Sequence, residues 1–162
     1  MVGPGVKNAG DYDGWTDHTD VRPTMLTLLG LKDDYETDGR AVLKPLYDWA
    51  VPQTLIAHRE TLLRLGDVYK QLTAPFGTFA MQTLRASTTA LASGSSTDDS
   101  KYTAIESRIA DLTSQRDALA AQIRSAFNAA EVGARPLNEQ RAKAWIDQAQ
   151  SLIDAATALA SS

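Results

Sequence analysis

From Ile105 to Leu159 apolar residues return every three or four positions, a spacing that only a helix gathers onto one side. In the stretch from Lys101 to Ala130 they are Ile105, Ile109, Leu112, Leu119, Ile123 and Ala126, with Arg116 interrupting the seam. This is heptad spacing of the coiled-coil kind, and Arg116 can cover the seam with its aliphatic stem while its guanidinium reaches water. A second stretch carries Ala142, Trp145, Ile146, Ala149, Leu152, Ile153, Ala156 and Leu159 on one face. Between the two, Glu131 to Leu137 reads as a turn, with Gly133 as a helix stop and Asn138 as the cap of the next helix. Helices joined by so short a turn pack antiparallel as a helical hairpin. The seams have two possible uses: burying each other together with a helix over 53–69, or binding a partner helix or a second copy. The short turn and the similar seam lengths favour the first.

Upstream, Ala41 to Trp49 is an apolar stretch broken by Pro45, suited to a linker that docks as it passes, and Pro52 fits the start of a helix. Leu55, Ile56, Leu62, Leu63, Leu65 and Val68 then mark one helical face over 53–69. His58 lies among charged neighbours there and reads as exposed or at a boundary. Pro75 and Gly77 predict a break, after which 78–92 resumes as helix despite its threonines. Ala92 to Ser100 is a polar, Gly/Ser-rich connector in which Thr97 or Asp98 could cap the next helix.

Composition narrows the functional classes. At 162 residues, 43% apolar and 22% charged, the chain can hold one ordinary domain. A formal charge of −4 and a pI of about 5.1, without a Lys/Arg cluster, argue against a nucleic-acid face. Without cysteine there is no disulfide framework or thiol chemistry, and the compartment stays open. No apolar run is long enough to span a bilayer. A Walker-type phosphate loop and a nucleophile elbow are both absent, so no catalytic residue is assigned within the chain.

The first forty residues are the most specific. In Thr19-Asp20-Val21-Arg22-Pro23-Thr24, Asp20 is suited to cap a short helix, Pro23 fits its first turn and Gly30 ends it. Val21, Met25, Leu28 and Leu29 form its apolar stripe, and so short a helix is stable only when packed on something larger. Asp17, His18 and Asp20 are a metal-capable trio. His18 is most simply a structural histidine at the helix entry; a contact to a metal ligand or to the rim of a substrate site comes next, and direct ligation last. Asp11, Asp13 and Asp17 share a Gly-containing loop, but the later Gly and terminal Glu of a calcium loop are out of register.

Taken in order, Gly3-Pro4-Gly5-Val6-Lys7, His18-Thr19-Asp20-Val21-Arg22-Pro23-Thr24, Leu28-Leu29-Gly30-Leu31 and Thr37-Asp38-Gly39-Arg40 resemble the C-terminal part of the sulfatase and alkaline-phosphatase superfamily catalytic domain. In that family a late strand leads into a Gly-Pro-Gly turn, an "H-x-D-x-x-P-T" helix follows, and a "D-G-R" turn closes the domain. The resemblance covers about a quarter of the chain. It implies hydrolysis of phosphate or sulfate esters by a nucleophile and divalent metals whose ligands precede Gly3, so the chain itself is expected to carry no metal or other cofactor and to be inactive alone. The implied partner is the N-terminal part of the hydrolase domain.

The expected fold is mainly α. It begins with the truncated end of an α/β hydrolase-type domain, a short helix and loops over 1–48. A helical linker region over 49–92 and the antiparallel hairpin over 93–162 follow. The apolar side of the Val21–Leu29 helix should be exposed. The alternative is a noncatalytic helical scaffold or dimerisation module, a homo-oligomer paired through a helical face.

Overall fold

The structure, a computed structural model, describes residues 2–8, 10–12, 14–93 and 99–161. It is mainly helical. In order come a 3-10 turn at His18–Asp20, α1 (Val21–Leu29), a 3-10 turn at Asp48–Ala50, α2 (Gln53–Ile56), α3 (Arg59–Thr73), α4 (Thr78–Ser93), α5 (Ser100–Phe127), a π-helical turn at Asn128–Val132, and α6 (Glu139–Ala160). Among the described residues there is no strand beyond an isolated antiparallel bridge between Val6 and Leu46, so an α/β sheet remnant finds no support in the N-terminal segment. No helix is long and apolar enough to cross a membrane, among the described residues.

The chain forms two compact units, Met1–Asp67 with Ala121–Ala144, and Val68–Ala120 with Trp145–Ser162. Each draws on two stretches of sequence, whereas the three segments read from the sequence are consecutive. The first unit buries Val42, Leu43, Leu46, Leu55, Leu62 and Leu65 together with Ile123, Phe127, Val132 and Ala142. In the Ala41–Trp49 stretch Ala41, Val42, Leu43 and Leu46 are buried, whereas Lys44, Tyr47, Asp48 and Trp49 are exposed. Its irregular backbone is tied down by Arg59, whose Nη2 donates to Leu43 O at 2.5 Å and Leu46 O at 2.9 Å.

In the second unit Ile105, Ile109 and Leu112 pack against Ala86, Leu159 and Ala160. The start of α5 thus lies along the end of α6. In the first unit Arg141 Nη2, near the start of α6, donates to Gln122 Oε1 at 3.5 Å near the end of α5. Both pairings are those of an antiparallel hairpin. Arg116 covers its gap in the seam by lying over the Phe79 ring, 5.4 Å from its centroid. Asn138 caps α6 through Arg141 N at 3.0 Å.

Local details depart from the sequence reading where tertiary contacts decide. The helix expected over 53–69 breaks at Ala57–His58 into α2 and α3. The turn before α6 begins as a π-helical turn, and Gly133 stays right-handed at φ −82°, while Ala134 takes the positive φ of 52°. The expected α3–α4 break is present, α3 ending at Thr73 and α4 starting at Thr78. Thr97 and Asp98, the candidate caps of α5, lie outside the described residues.

α1 has an inverted distribution of side chains. Its buried residues are Pro23, Thr24 and Thr27, whereas Val21, Met25 and Leu29 of its apolar stripe are exposed. Gly30 ends it in the left-handed conformation, φ 64°, as its position predicts. Asp20 does not cap α1 by its side chain; Asp17 instead forms a capping box with Asp20 around the preceding 3-10 turn.

Candidate functional site

The densest polar construction in the first unit surrounds Thr37 to Val42. Four backbone N–H groups of this irregular segment are taken by side chains from three other parts of the chain. Thr37 N donates to Asn128 Oδ1 at 2.8 Å, and Asn128 Nδ2 returns a bond to Thr37 O at 2.9 Å. Arg40 N donates to Asp20 Oδ1 at 2.9 Å. Ala41 N donates to Glu131 Oε2 at 2.7 Å, and Val42 N to Thr24 Oγ1 at 2.9 Å. Buried backbone donors must find partners, and side chains supply here what a neighbouring strand would supply in a sheet.

Each contributor is placed by its element. The π-helical turn presents Asn128 and Glu131. The first turn of α1 presents Thr24, whose own hydroxyl donates to Asp20 O at 2.6 Å. Gly39 is required by contact, since a Cβ there would stand 2.1 Å from Thr19 O. Arg40 is only 2% exposed; its Nη2 reaches Trp15 O at 3.4 Å and Asp67 Oδ1 at 3.2 Å, while its Nε has no hydrogen-bond partner. Room for it comes from Gly66 of α3, where a Cβ would lie 2.4 Å from Arg40 Cδ.

Glu131 sits buried inside this construction. Burial pushes its carboxyl up to about 8, and the nearby Asp20 carboxylate adds to the rise, while the Ala41 N–H and the Arg40 cation oppose it. At neutral pH Glu131 is therefore mostly the neutral acid. At the edge of the unit Glu139 accepts from Lys143, His58 and Thr61, with the Lys143 ammonium foremost in holding its carboxyl below the usual range. His58 is thus a half-buried boundary residue, 3.3 Å from Glu139.

Of the residues singled out in sequence, Asp17 accepts from Thr19 N at 2.9 Å, and Asp20 from Asp17 N at 3.2 Å and from Arg40 N. Both carboxylates thus serve backbone N–H groups. His18 is exposed at the helix entry. Asp11, Asp17 and Asp20 share a cleft of about 380 Å³ with Lys7 and Tyr12, whereas Asp13 lies outside the described residues. Among the described residues no three His, Cys, Asp or Glu side chains form a group able to hold a metal. Asn128 and Glu131 were missed in sequence because their partners lie 91 and 90 positions away, and no local pattern announces such a pairing.

A second feature of the same unit is an open groove of about 680 Å³ lined by Val2, Pro4, Met25, Leu28, Leu29, Trp49 and Val51 among others. No family model, curated protein or solved structure matches the chain.

Proposed function

We propose that the chain is the C-terminal part of a metal-dependent phosphate- or sulfate-ester hydrolase of the alkaline-phosphatase and sulfatase superfamily, followed by a helical extension, and that it is inactive alone. The observation carrying this reading is that the separated pieces of the resemblance touch. Asp20 of His18-Thr19-Asp20 accepts from the Arg40 N–H of Asp38-Gly39-Arg40, and a Cβ on Gly39 would run into the Thr19 carbonyl. Gly5, at φ 86°, leaves room for Leu28 and Ala50, either of which a Cβ would crowd.

In this reading the nucleophile and metal ligands belong to residues preceding Gly3, and the metal would activate or orient that nucleophile. The present residues hold the end of the domain in shape. Asp20, Thr24, Asn128 and Glu131 fix the Thr37–Val42 segment, and His18 stands exposed at the helix entry, a position suited to the rim of a substrate site. The test is to sequence the DNA upstream of the Met1 codon in frame, express the extended chain, and assay p-nitrophenyl phosphate and p-nitrophenyl sulfate with added divalent metals. Hydrolysis by the extended chain and none by the 162-residue chain is expected. A stop codon directly upstream, with no hydrolase coding before it, would refute the reading.

One observation favours a second reading, a self-associating helical module. α4 exposes Met81, Leu84 and Leu91 at helical spacing. Sedimentation equilibrium of the chain with and without Leu84→Lys would show a dimer lost in the variant if that reading holds.

A further inference from the structure

The segment from Thr37 to Val42 is gripped from two sides. Asn128 and Glu131, both on the π-helical turn, accept from Thr37 N and Ala41 N. Asp20 and Thr24, at the start of α1, accept from Arg40 N and Val42 N. The two grips differ in what they bury. Thr24 is a neutral hydroxyl, whereas Glu131 is a carboxyl at 5% exposure. Asp20 and Glu131 accept from consecutive N–H groups, so an ionised Glu131 would stand beside a second carboxylate.

The charges around the turn do not balance that pair. Arg40 attracts Glu131 and Asp20 repels it, and the Arg40 guanidinium is shared with Asp67 and the Trp15 carbonyl. α1, packed against the π-helical turn, carries Arg22, which is paired with Asp33. α2, also packed there, has no charged residue, and Arg124 of α5, which runs into the turn, is paired with Asp38. A charge on Glu131 is therefore stable only where water reaches it. We infer that the π-helical turn and the Thr37–Val42 segment form a latch, held shut by Glu131 as the neutral acid and released when it loses its proton. On release the turn parts from Thr37 and Ala41, while Asp20 and Thr24 keep Arg40 and Val42 on α1. Burial raises the carboxyl from 4.5 to about 8, so the latch is shut at low pH, opens increasingly as pH rises, and levels off above about 8. The latch is independent of the hydrolase reading, because each of its residues lies within this chain.

Residue-resolved amide hydrogen exchange of the 162-residue chain, followed by NMR from pH 5 to pH 9 with and without sub-denaturing urea, tests it. Rates are divided by those of the unstructured peptide at each pH. Protection of Thr37 and Ala41 should fall about tenfold per pH unit and level off near pH 8, without responding to urea, since a local opening exposes little surface. Arg40 and Val42 should stay at least about tenfold better protected, and Leu65 in α3 should exchange only through the urea-sensitive global opening. In Glu131→Gln the pH dependence of Thr37 and Ala41 should vanish. Four results would each overturn the latch: protection at Ala41 that ignores pH, Thr37 and Ala41 matching Leu65 in both rate and urea response, Arg40 and Val42 opening with them, or an unchanged slope in Glu131→Gln. The first three are read on the wild type, so the test stands even where the variant folds poorly.

Discussion

Glu131 makes the folded state sensitive to pH in an unusual direction. Its carboxyl has an ordinary value of 4.5 when the chain is unfolded and is pushed up to about 8 by burial when folded. Below 4.5 both states hold the proton and the group imposes no penalty. Between 4.5 and 8 the unfolded chain releases the proton more readily, so stability falls as pH rises, and above 8 the loss is complete. Glu131→Gln keeps an acceptor for the Ala41 N–H and removes the titration. Urea midpoints measured at pH 5 and pH 9 should diverge, the variant gaining on the wild type as pH rises; parallel profiles would show that Glu131 does not control this dependence. Thr27 gives a second prediction at this scale, because its Oγ1 is buried without a hydrogen-bond partner. Thr27→Val removes that unmet polar group at nearly constant shape and should stabilise the chain by about 1 kcal/mol, read from the same urea titrations. Sequence could single out the chemistry of Asp17, His18 and Asp20 but not their use, and it gave no sign of Glu131 or Thr27. Asp17 and Asp20 look equally suited to bind a cation or a backbone N–H until the neighbouring chain is in place.

The helices were the legible part of the fold. Seam spacing placed α5 and α6, Pro75 and Gly77 placed the break before α4, and Gly30 the end of α1, because each of these signals is local. The break between α2 and α3 and the π-helical turn were not legible. Both lie where Arg59, His58, Asn128 and Glu131 reach distant partners, and such contacts override propensity. Burial also ranks the hairpin positions more finely than periodicity does. Ile153 is 6% exposed, whereas Leu152 and Ile109 are only partly buried. Ile153→Ala should cost about 2–5 kcal/mol. Leu152→Ala and Ile109→Ala should cost less, about 1–2 kcal/mol, since part of each side chain already meets water. Thermal or urea denaturation of the three variants checks the order, and equal losses would argue against the burial pattern.

At the scale of the molecule, the apolar face of α1 is open to water, with Val21, Met25 and Leu29 exposed. Met25→Lys places a charge at a side chain that is 47% exposed, and in the 162-residue chain it should change stability by no more than about 0.5 kcal/mol. Urea denaturation of the variant and the wild type measures the shift, and a loss of about 2 kcal/mol or more would argue against the exposure of Met25.

The fit between Arg40 and Gly66 sets the rotational register of α3. Successive residues of an α-helix are about 100° apart around its axis. Inserting or deleting a single residue between Arg59 and Gly66 would turn the gap away from Arg40 and bring a side chain against its guanidinium. The start of α3 therefore accepts replacement of its outward residues far more readily than any change in their number, and length variation in this protein belongs in its loops.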